Sequence, residues 1–313
     1  MINQSLILAA GVALLYYGST ILVSGSASMA FLFSIRPVIV GLTIVSLATS
    51  APELLVSLVA AIKGSGGISI GNIIGSNVIN IALVLGFSAL LRPVSVTRQV
   101  IRIEIPYMIF TTLVFWLLCM DSHIGWMDGI VLLLLLLIFL IYGILTAKNG
   151  NKGADPRDLP SRSWGLILKN GVYIILGILM LATGANFLVS QAIVIANKIG
   201  LSQTFIGISV VALGTSLPEL ATSAVAAARG ESDISMGNVV GSNLFNICLV
   251  MGIVGLFNPM AIDPDLHWFQ FPFMVFISLL LGGVVYLNHG VNKKIGILFI
   301  ALFFIYILVS YLK

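Results

Sequence analysis

Gly214-Thr215-Ser216-Leu217-Pro218-Glu219, followed by Gly237-Asn238-Val239-Val240-Gly241-Ser242-Asn243-Leu244-Phe245-Asn246, repeats a passage met earlier in the chain. The earlier passage is Ala48-Thr49-Ser50-Ala51-Pro52-Glu53, then Gly71-Asn72-Ile73-Ile74-Gly75-Ser76-Asn77-Val78-Ile79-Asn80. Residues 41–86 align without a gap on residues 207–252, at a constant offset of 166, with 25 of 46 positions identical. A duplication of this kind governs the architecture, so it precedes any single motif. Each copy carries one glutamate deep inside an otherwise apolar run.

Of the 313 residues, 59% are hydrophobic and 8% charged, against roughly 25% charged in soluble domains. Such a chain cannot dress a globular surface in water. Soluble enzymes and disordered tails are excluded, and an integral membrane protein remains. The net charge of +4 is accounted for by membrane topology, with no nucleic-acid partner. Cys119 and Cys248 lie inside apolar runs and read as packing residues, not as a disulfide or thiolate metal site. Runs such as Val131 to Leu140 lack period-two alternation, so the spans are helices and not barrel strands.

At about 20 residues per crossing, spans are expected near 5–25, 37–62, 68–91, 103–120, 126–147, 165–190, 203–228, 234–257, 267–288 and 295–312. Met1-Ile2-Asn3-Gln4 has no basic region and no small-residue cleavage site, so the first span is expected to be retained. The fold class expected is all-α, with ten transmembrane helices in two five-helix halves, 1–147 and 164–313. Residues 148–163, rich in Asn, Gly and Pro, form the connector.

With the N-terminus outside, Arg36, Arg92, Arg98, Arg102, Lys148, Lys152, Arg157, Arg162, Lys169, Arg229, Lys293 and Lys294 fall on the cytoplasmic side. Only Lys63, Lys198 and Lys313 fall outside. The positive-inside bias therefore places both termini extracytoplasmically in a multi-pass protein of the cell membrane. The two copies occupy the second and third spans, and the seventh and eighth. Five spans separate equivalent positions, an odd number, so the copies enter the membrane in opposite directions. Inverted repeats with Gly/Pro-interrupted helices mark secondary transporters, with the site near the midplane.

A charge at the centre of a span costs about 2.5–3.5 kcal/mol on insertion scales and is by default functional. Glu53 and Glu219 are two such charges at equivalent positions. Pro52 and Pro218 have no N–H and clash with the carbonyl one turn back, near Ala48 and Gly214. Each is expected to open its helix just before the glutamate. Thr49 lies four residues before Glu53, and Thr215 four before Glu219, so each pair shares a face. Carboxylates, hydroxyls and loosened carbonyls suit hard cations. Asn72, Ser76 and Asn80 form a stripe at four-residue spacing, repeated by Asn238, Ser242 and Asn246; the stripe ends, Asn80 and Asn246, are expected at the ion site. Asn72 and Asn238 serve either the site or helix packing, and Asn77 and Asn243, off this face, are expected to cap or pack. Glycines at 71 and 75, and at 237 and 241, have the spacing of close helix approach. His123, His267 and His289 sit in loops, which disfavours Zn2+ or Cu2+ as cargo. No His-Glu-x-x-His or hydrolytic triad lies within the spans, so no enzyme is expected.

The two copies resemble the α-repeats of the cation/Ca2+ antiporter superfamily, in its sodium/calcium exchanger branch and compact prokaryotic form. The resemblance implies a secondary antiporter exchanging Na+ for Ca2+ by alternating access, with Ca2+ and Na+ as substrates and no cofactor. It implies that Glu53 and Glu219, with backbone oxygens at Thr49 and Thr215, hold Ca2+. Sodium ions would use the glutamates, Thr49, Thr215, Ser50, Ser216, Ser76, Ser242 and carbonyls near Ser46 and Ala212, with Asn80 and Asn246 flanking the middle. Departures are small: Ala48 stands where the usual residue is Gly, and Ser46 is matched by Ala212. Asn246 stands where K+-dependent relatives have Asp, which disfavours K+ co-transport. Two carboxylates neutralise one Ca2+ but leave three Na+ with one positive charge in excess, so exchange is expected to move charge. A divalent exchanger of other selectivity or coupling (Mg2+, Mn2+ or H+) is the alternative within transport. A passive cation channel is the alternative from another class, disfavoured because channels build rings from identical subunits. The first and sixth spans would slide against the core, with Gly18, Ser19, Gly25, Ser26, Thr183, Gly184 and Ala185 forming either a moving surface or ordinary packing. No protein partner is evident, and a monomer in the lipid bilayer is expected.

Overall fold

The structure, a computed structural model, describes residues 2–146, 164–198, 209 and 211–312. The connector at 148–163, with Lys148, Lys152, Arg157 and Arg162, lies outside the described residues. So do Lys313 and residues 207, 208 and 210 of the second copy. The chain forms helices α1 (Ile2–Phe33), α2 (Pro37–Thr49), α3 (Ala51–Ile62), α4 (Gly66–Leu91), α5 (Val100–Leu118), α6 (Trp126–Thr146) and α7 (Trp164–Lys198). It continues with α8 (Ala212–Thr215), α9 (Leu217–Arg229), α10 (Ser232–Phe257), α11 (Pro264–Asn288) and α12 (Lys293–Leu312). Among the described residues, eight helices are long and apolar enough to cross a bilayer, and α2 with α3, bent by 43°, make a ninth crossing. The protein is an all-helical, multi-pass membrane protein.

Helix α1 runs on to Phe33 instead of stopping near residue 25. The small polar stretch there does not break it, because its hydroxyls bond backward within the helix: Ser19 Oγ donates to Tyr16 O at 2.9 Å and Ser24 Oγ to Thr20 O at 2.7 Å. The helix ends where Ser34 turns left-handed (φ 55) and Ile35 N returns to Ala30 O at 2.9 Å. Pro37 then starts α2. The sixth expected span is likewise longer, reaching Lys198.

Helices α4 and α10 are the centre of the molecule: 83% of each apolar window is buried, against 22% in α7 and α12. Helix α2 crosses α10 at close range. A Cβ added to Gly237 would lie 2.6 Å from Val38 O, and one on Gly241 would strike Ser46 Oγ, so only glycine permits this approach. Helices α1 and α7 lie antiparallel, with Gly11 against Gly184 and Gly18 against Gly177. Gly25 also faces α7, at Asn170 and Tyr173. The glycines of the expected moving surface therefore serve packing between these two long helices. Two short antiparallel strand pairs tie helix ends together: β1 (Val94–Ser95) with β4 (Gly290–Val291), and β2 (His123–Ile124) with β3 (Met260–Ala261). Cys119 and Cys248 are buried and free. Glu104 lies one turn inside α5, where it is buried and pairs with Arg36 at 3.8 Å.

Candidate functional site

Proline shapes both helix breaks. Pro52 and Pro218 stand in the first turn of α3 and α9, and the break falls at Ser50 (φ −81, ψ 2) and Ser216 (φ −84, ψ 5). Each serine leaves helical geometry two residues before its proline. Each glutamate is thereby carried into the first turn of a new helix, Glu53 on α3 and Glu219 on α9, at the end where the helix dipole favours negative charge. Both glutamates are fully buried and within electrostatic reach of each other.

The two copies bond to each other in exchange. Ser216 Oγ donates to Glu53 Oε1 at 3.3 Å, and Ser50 Oγ donates to Glu219 Oε1 at 3.4 Å. Thr49 Oγ1 reaches Asn238 Oδ1 at 3.2 Å, and Thr215 Oγ1 reaches Asn72 Oδ1 at 3.3 Å. Thr49 Oγ1 also lies 3.3 Å from Ser242 Oγ. Behind them, Asn72 Nδ2 donates to Ser57 Oγ (3.1 Å) and Asn238 Nδ2 to Ser223 Oγ (2.9 Å). Each asparagine thus turns its oxygen to the opposite copy's threonine while its amide nitrogen is anchored on its own side. Asn72 and Asn238 belong to the cluster as its supports.

Ser46 Oγ donates to Gly41 O at 2.7 Å and lies 3.1 Å from Asn238 O; Ala212, its counterpart, has only a methyl group there. Ser76, Ser242, Asn80 and Asn246 are all buried along α4 and α10. Asn80 opens a π-helical turn (Asn80–Leu85), and Asn246 is the second residue of another (Phe245–Met251); such wide turns gather at functional positions. Asn80 Nδ2 donates to Asn243 Oδ1 at 3.2 Å, and Asn243 Nδ2 rests 3.6 Å from Met108 Sδ. Asn243 therefore packs directly behind a stripe residue, a link no helical spacing within α10 could reveal. Asn77 instead donates to Ile73 O, 2.7 Å away in its own helix. Among the described residues, Glu53 Oε2, Glu219 Oε2, Ser76 Oγ and both amide atoms of Asn246 are buried without a hydrogen-bond partner. His123 lies in strand β2, His267 in the first turn of α11 and His289 just past its end, none of them in this cluster.

The sequence model of the family described as "Sodium/calcium exchanger protein" matches residues 4–145 and 169–312. The chain belongs to the sodium/calcium exchanger family. Among its relatives, the inner membrane protein YrbG of Escherichia coli is 34% identical, over 90% of this chain and 88% of its own length. The sodium/calcium exchanger MaX1 of Methanosarcina acetivorans is 29% identical, over 92% of each chain. A solved structure of the sodium-calcium exchanger NCX_Mj, soaked with Na+ and Ca2+, superposes with a TM-score of 0.83 at 34% identity and covers 97% of both chains. Family membership extends to transport: this family exchanges ions and is not one of enzymes.

Proposed function

We propose that the protein is a secondary antiporter that exchanges Na+ for Ca2+ by alternating access across the cell membrane. The observation that carries this reading is the pair of buried glutamates, each held at Oε1 by the other copy's break serine while Oε2 has no partner among the described residues. Buried polar atoms are ordinarily satisfied, and a dehydrated divalent cation satisfies two carboxylates at once. Calcium binds Glu53 and Glu219 together with backbone oxygens at Thr49 and Thr215. Sodium ions use the same glutamates and threonines with Ser50, Ser216, Ser76, Ser242 and the carbonyls near Ser46 and Ala212. Asn80 and Asn246 flank the middle.

Contact reciprocity supports an inverted repeat. Position i of one copy touches j of the other while j's equivalent touches i's, the relation a two-fold axis imposes. The strand pairs support ten crossings and the two halves 1–147 and 164–313. For β2 and β3 to meet on one side, an even number of crossings must separate them. Helices α6, α7 and α10 supply three, and the stretch ending in α8 and α9 supplies the fourth. The basic residues, gathered around β1 and β4, support termini on the outer side.

Access supports the same scheme. A cavity of about 260 Å3, lined by Pro52, Leu55, Ala182, Ala185, Asn186 and Thr215, lies between α3 and α7. Its counterpart between α9 and α1 is bridged by Arg229, which donates to Thr20 O at 3.1 Å and Ser24 Oγ at 2.5 Å. A cavity of about 320 Å3, lined by Tyr16, Ser19 and Ala221, lies between α1 and α9 as well, so each half keeps a cleft beside the crossing. Radiolabelled Ca2+ uptake into proteoliposomes tests the function: uptake is expected when the vesicles are loaded with Na+. Equal uptake with K+ or with an acidic interior and no Na+ gradient would remove the sodium coupling.

A further inference from the structure

The seam between α5 and α11 differs at its two ends. The offset of 166 extends beyond the repeat into these helices, where Pro106, Met108 and Phe110 are matched by Pro272, Met274 and Phe276. At the end near β2 and β3 the seam is filled. Trp116 Nε1 donates to His267 Nδ1 at 3.3 Å, and Phe271 stacks on both rings, at 6.4 and 5.1 Å between centroids. The positions equivalent to Trp116, Phe271 and His267 at the other end are Gly282, Ile105 and Ile101. There the plug is missing, and an apolar groove of about 530 Å3 runs between Ile105, Ile109, Leu113, Leu279, Gly282 and Gly283. A Cβ on Gly282 would come within 2.8 Å of Ile109, whereas one on Gly283 would meet nothing within 4 Å. The groove wall is thus cut by a glycine pair.

This groove opens, through Ile101 and Tyr286, into a cavity of about 340 Å3 lined by Arg98, Arg102 and His289. Arg98 and Arg102 are four apart and share a helix face. His289 is brought beside them by the β1–β4 pairing and by the bond from Val96 N to its carbonyl oxygen at 3.0 Å. Among the described residues the one ion pair is Arg36 with Glu104, so neither arginine is neutralised by a carboxylate. Phe110, Leu279 and Tyr286 are 49%, 50% and 70% exposed, which in a membrane-spanning helix means exposed to lipid.

We infer that this end of the α5–α11 seam is a binding site for an anionic phospholipid. The phosphodiester headgroup lies between Arg98, Arg102 and His289, and one acyl chain lies in the groove cut by Gly282 and Gly283. Charge complementarity fixes the class: basic pockets between membrane helices at the headgroup level select anionic lipids, and the contiguous apolar groove adds the acyl chain that a free phosphate lacks.

Native mass spectrometry of the full chain, with phosphatidylglycerol and phosphatidylcholine as competing probes, tests the site. Wild-type protein is expected to retain one phosphatidylglycerol in preference to phosphatidylcholine, undisplaced by inorganic phosphate. Arg98→Gln with Arg102→Gln is expected to lower that preference about tenfold, since each basic residue near the headgroup contributes to attraction. Gly283→Leu fills the groove without a clash and is expected to lose the bound lipid of either kind, at unchanged thermal stability. Lys293→Gln with Lys294→Gln, on the same face but outside the cavity, is expected to leave the preference intact. The proposal is overturned if the wild-type chain shows no preference, if phosphate displaces the lipid, if Gly283→Leu retains it, or if the lysine pair matters as much as the arginines.

Discussion

Where the two copies of the repeat meet, each gives the other the same groups at nearly the same distances. Ser216 to Glu53 and Ser50 to Glu219 differ by a tenth of an ångström, and the threonine–asparagine bridges match as closely. From one helical turn further along α4 and α10 the match ends: Ser242 lies 3.3 Å from Thr49, while Ser76 Oγ has no partner among the described residues. Asn80 is bonded to Asn243, while Asn246 has no partner among the described residues because Asn77 is turned onto its own helix. At the periphery the halves diverge further, with Trp116 at one end of the α5–α11 seam and Gly282 at the other. The gradient locates the constraint. In the proposed exchange, a two-sided path needs the same ligands whichever side is open, which accounts for the likeness of the copies at the crossing. The ends meet different leaflets, and the copies are free to differ there.

The largest test of this comparison is to remove one carboxylate at a time. Glu53→Gln and Glu219→Gln are each expected to abolish Na+-driven Ca2+ uptake while the protein still inserts. Retained transport in either variant would break the equivalence of the copies, and retention in both would remove the site from this place.

Asn246→Asp comes next. If three Na+ exchange for one Ca2+ at the proposed site, two carboxylates leave the Ca2+-loaded site neutral and the Na+-loaded site charged, so Ca2+/Ca2+ exchange is expected to ignore voltage in the wild-type protein. A third carboxylate at Asn246 shifts the charge to the Ca2+-loaded form, and the same exchange is expected to become voltage-dependent. Currents across proteoliposomes at imposed potentials read this directly. Asn80→Asp, placed against Asn243, is expected to disturb packing as well as charge and to lower the yield of folded protein.

Smaller effects sharpen the symmetry further. Ser50→Ala and Ser216→Ala each remove one hydrogen bond to a carboxylate, about 1.5–3 kcal/mol. Apparent Ca2+ affinity is expected to fall by roughly tenfold or more, to a similar extent in both. A loss confined to one serine would show that the reciprocity of the contacts does not extend to their energies. Ser46→Ala is expected to be the mildest change, because Ala212 already holds the equivalent position; transport assays should find it within about threefold of wild type, on the scale of one neutral hydrogen bond.

Much of this arrangement is legible in the residues. Two prolines before two glutamates announce the helix breaks, and a duplicated motif of 46 positions announces the paired contacts of its copies. The break itself falls at Ser50 and Ser216, nearer the glutamates than the carbonyl each proline displaces, because the short turn before the proline still keeps its own hydrogen bond, Ser50 N to Ser46 O at 2.9 Å and Ser216 N to Ala212 O at 3.2 Å. The length of α1 was hidden by serines whose hydroxyls bond within the helix. The π turns at Asn80 and Phe245 leave no periodic signature, since one widened turn does not alter an apolar run. The Asn80–Asn243 bond, the Arg36–Glu104 pair and the Trp116–His267–Phe271 plug join residues distant along the chain, and only the packed fold brings them together.

Calcium binding to the purified chain, titrated at several Na+ concentrations, tests the shared twin-glutamate site most directly. One Ca2+ per chain is expected to bind, with an apparent affinity that falls more steeply than first order as Na+ rises and that is lost in both Glu53→Gln and Glu219→Gln. Calcium binding indifferent to Na+, or surviving either substitution at full affinity, would contradict a single site built from both copies and shared by both ions.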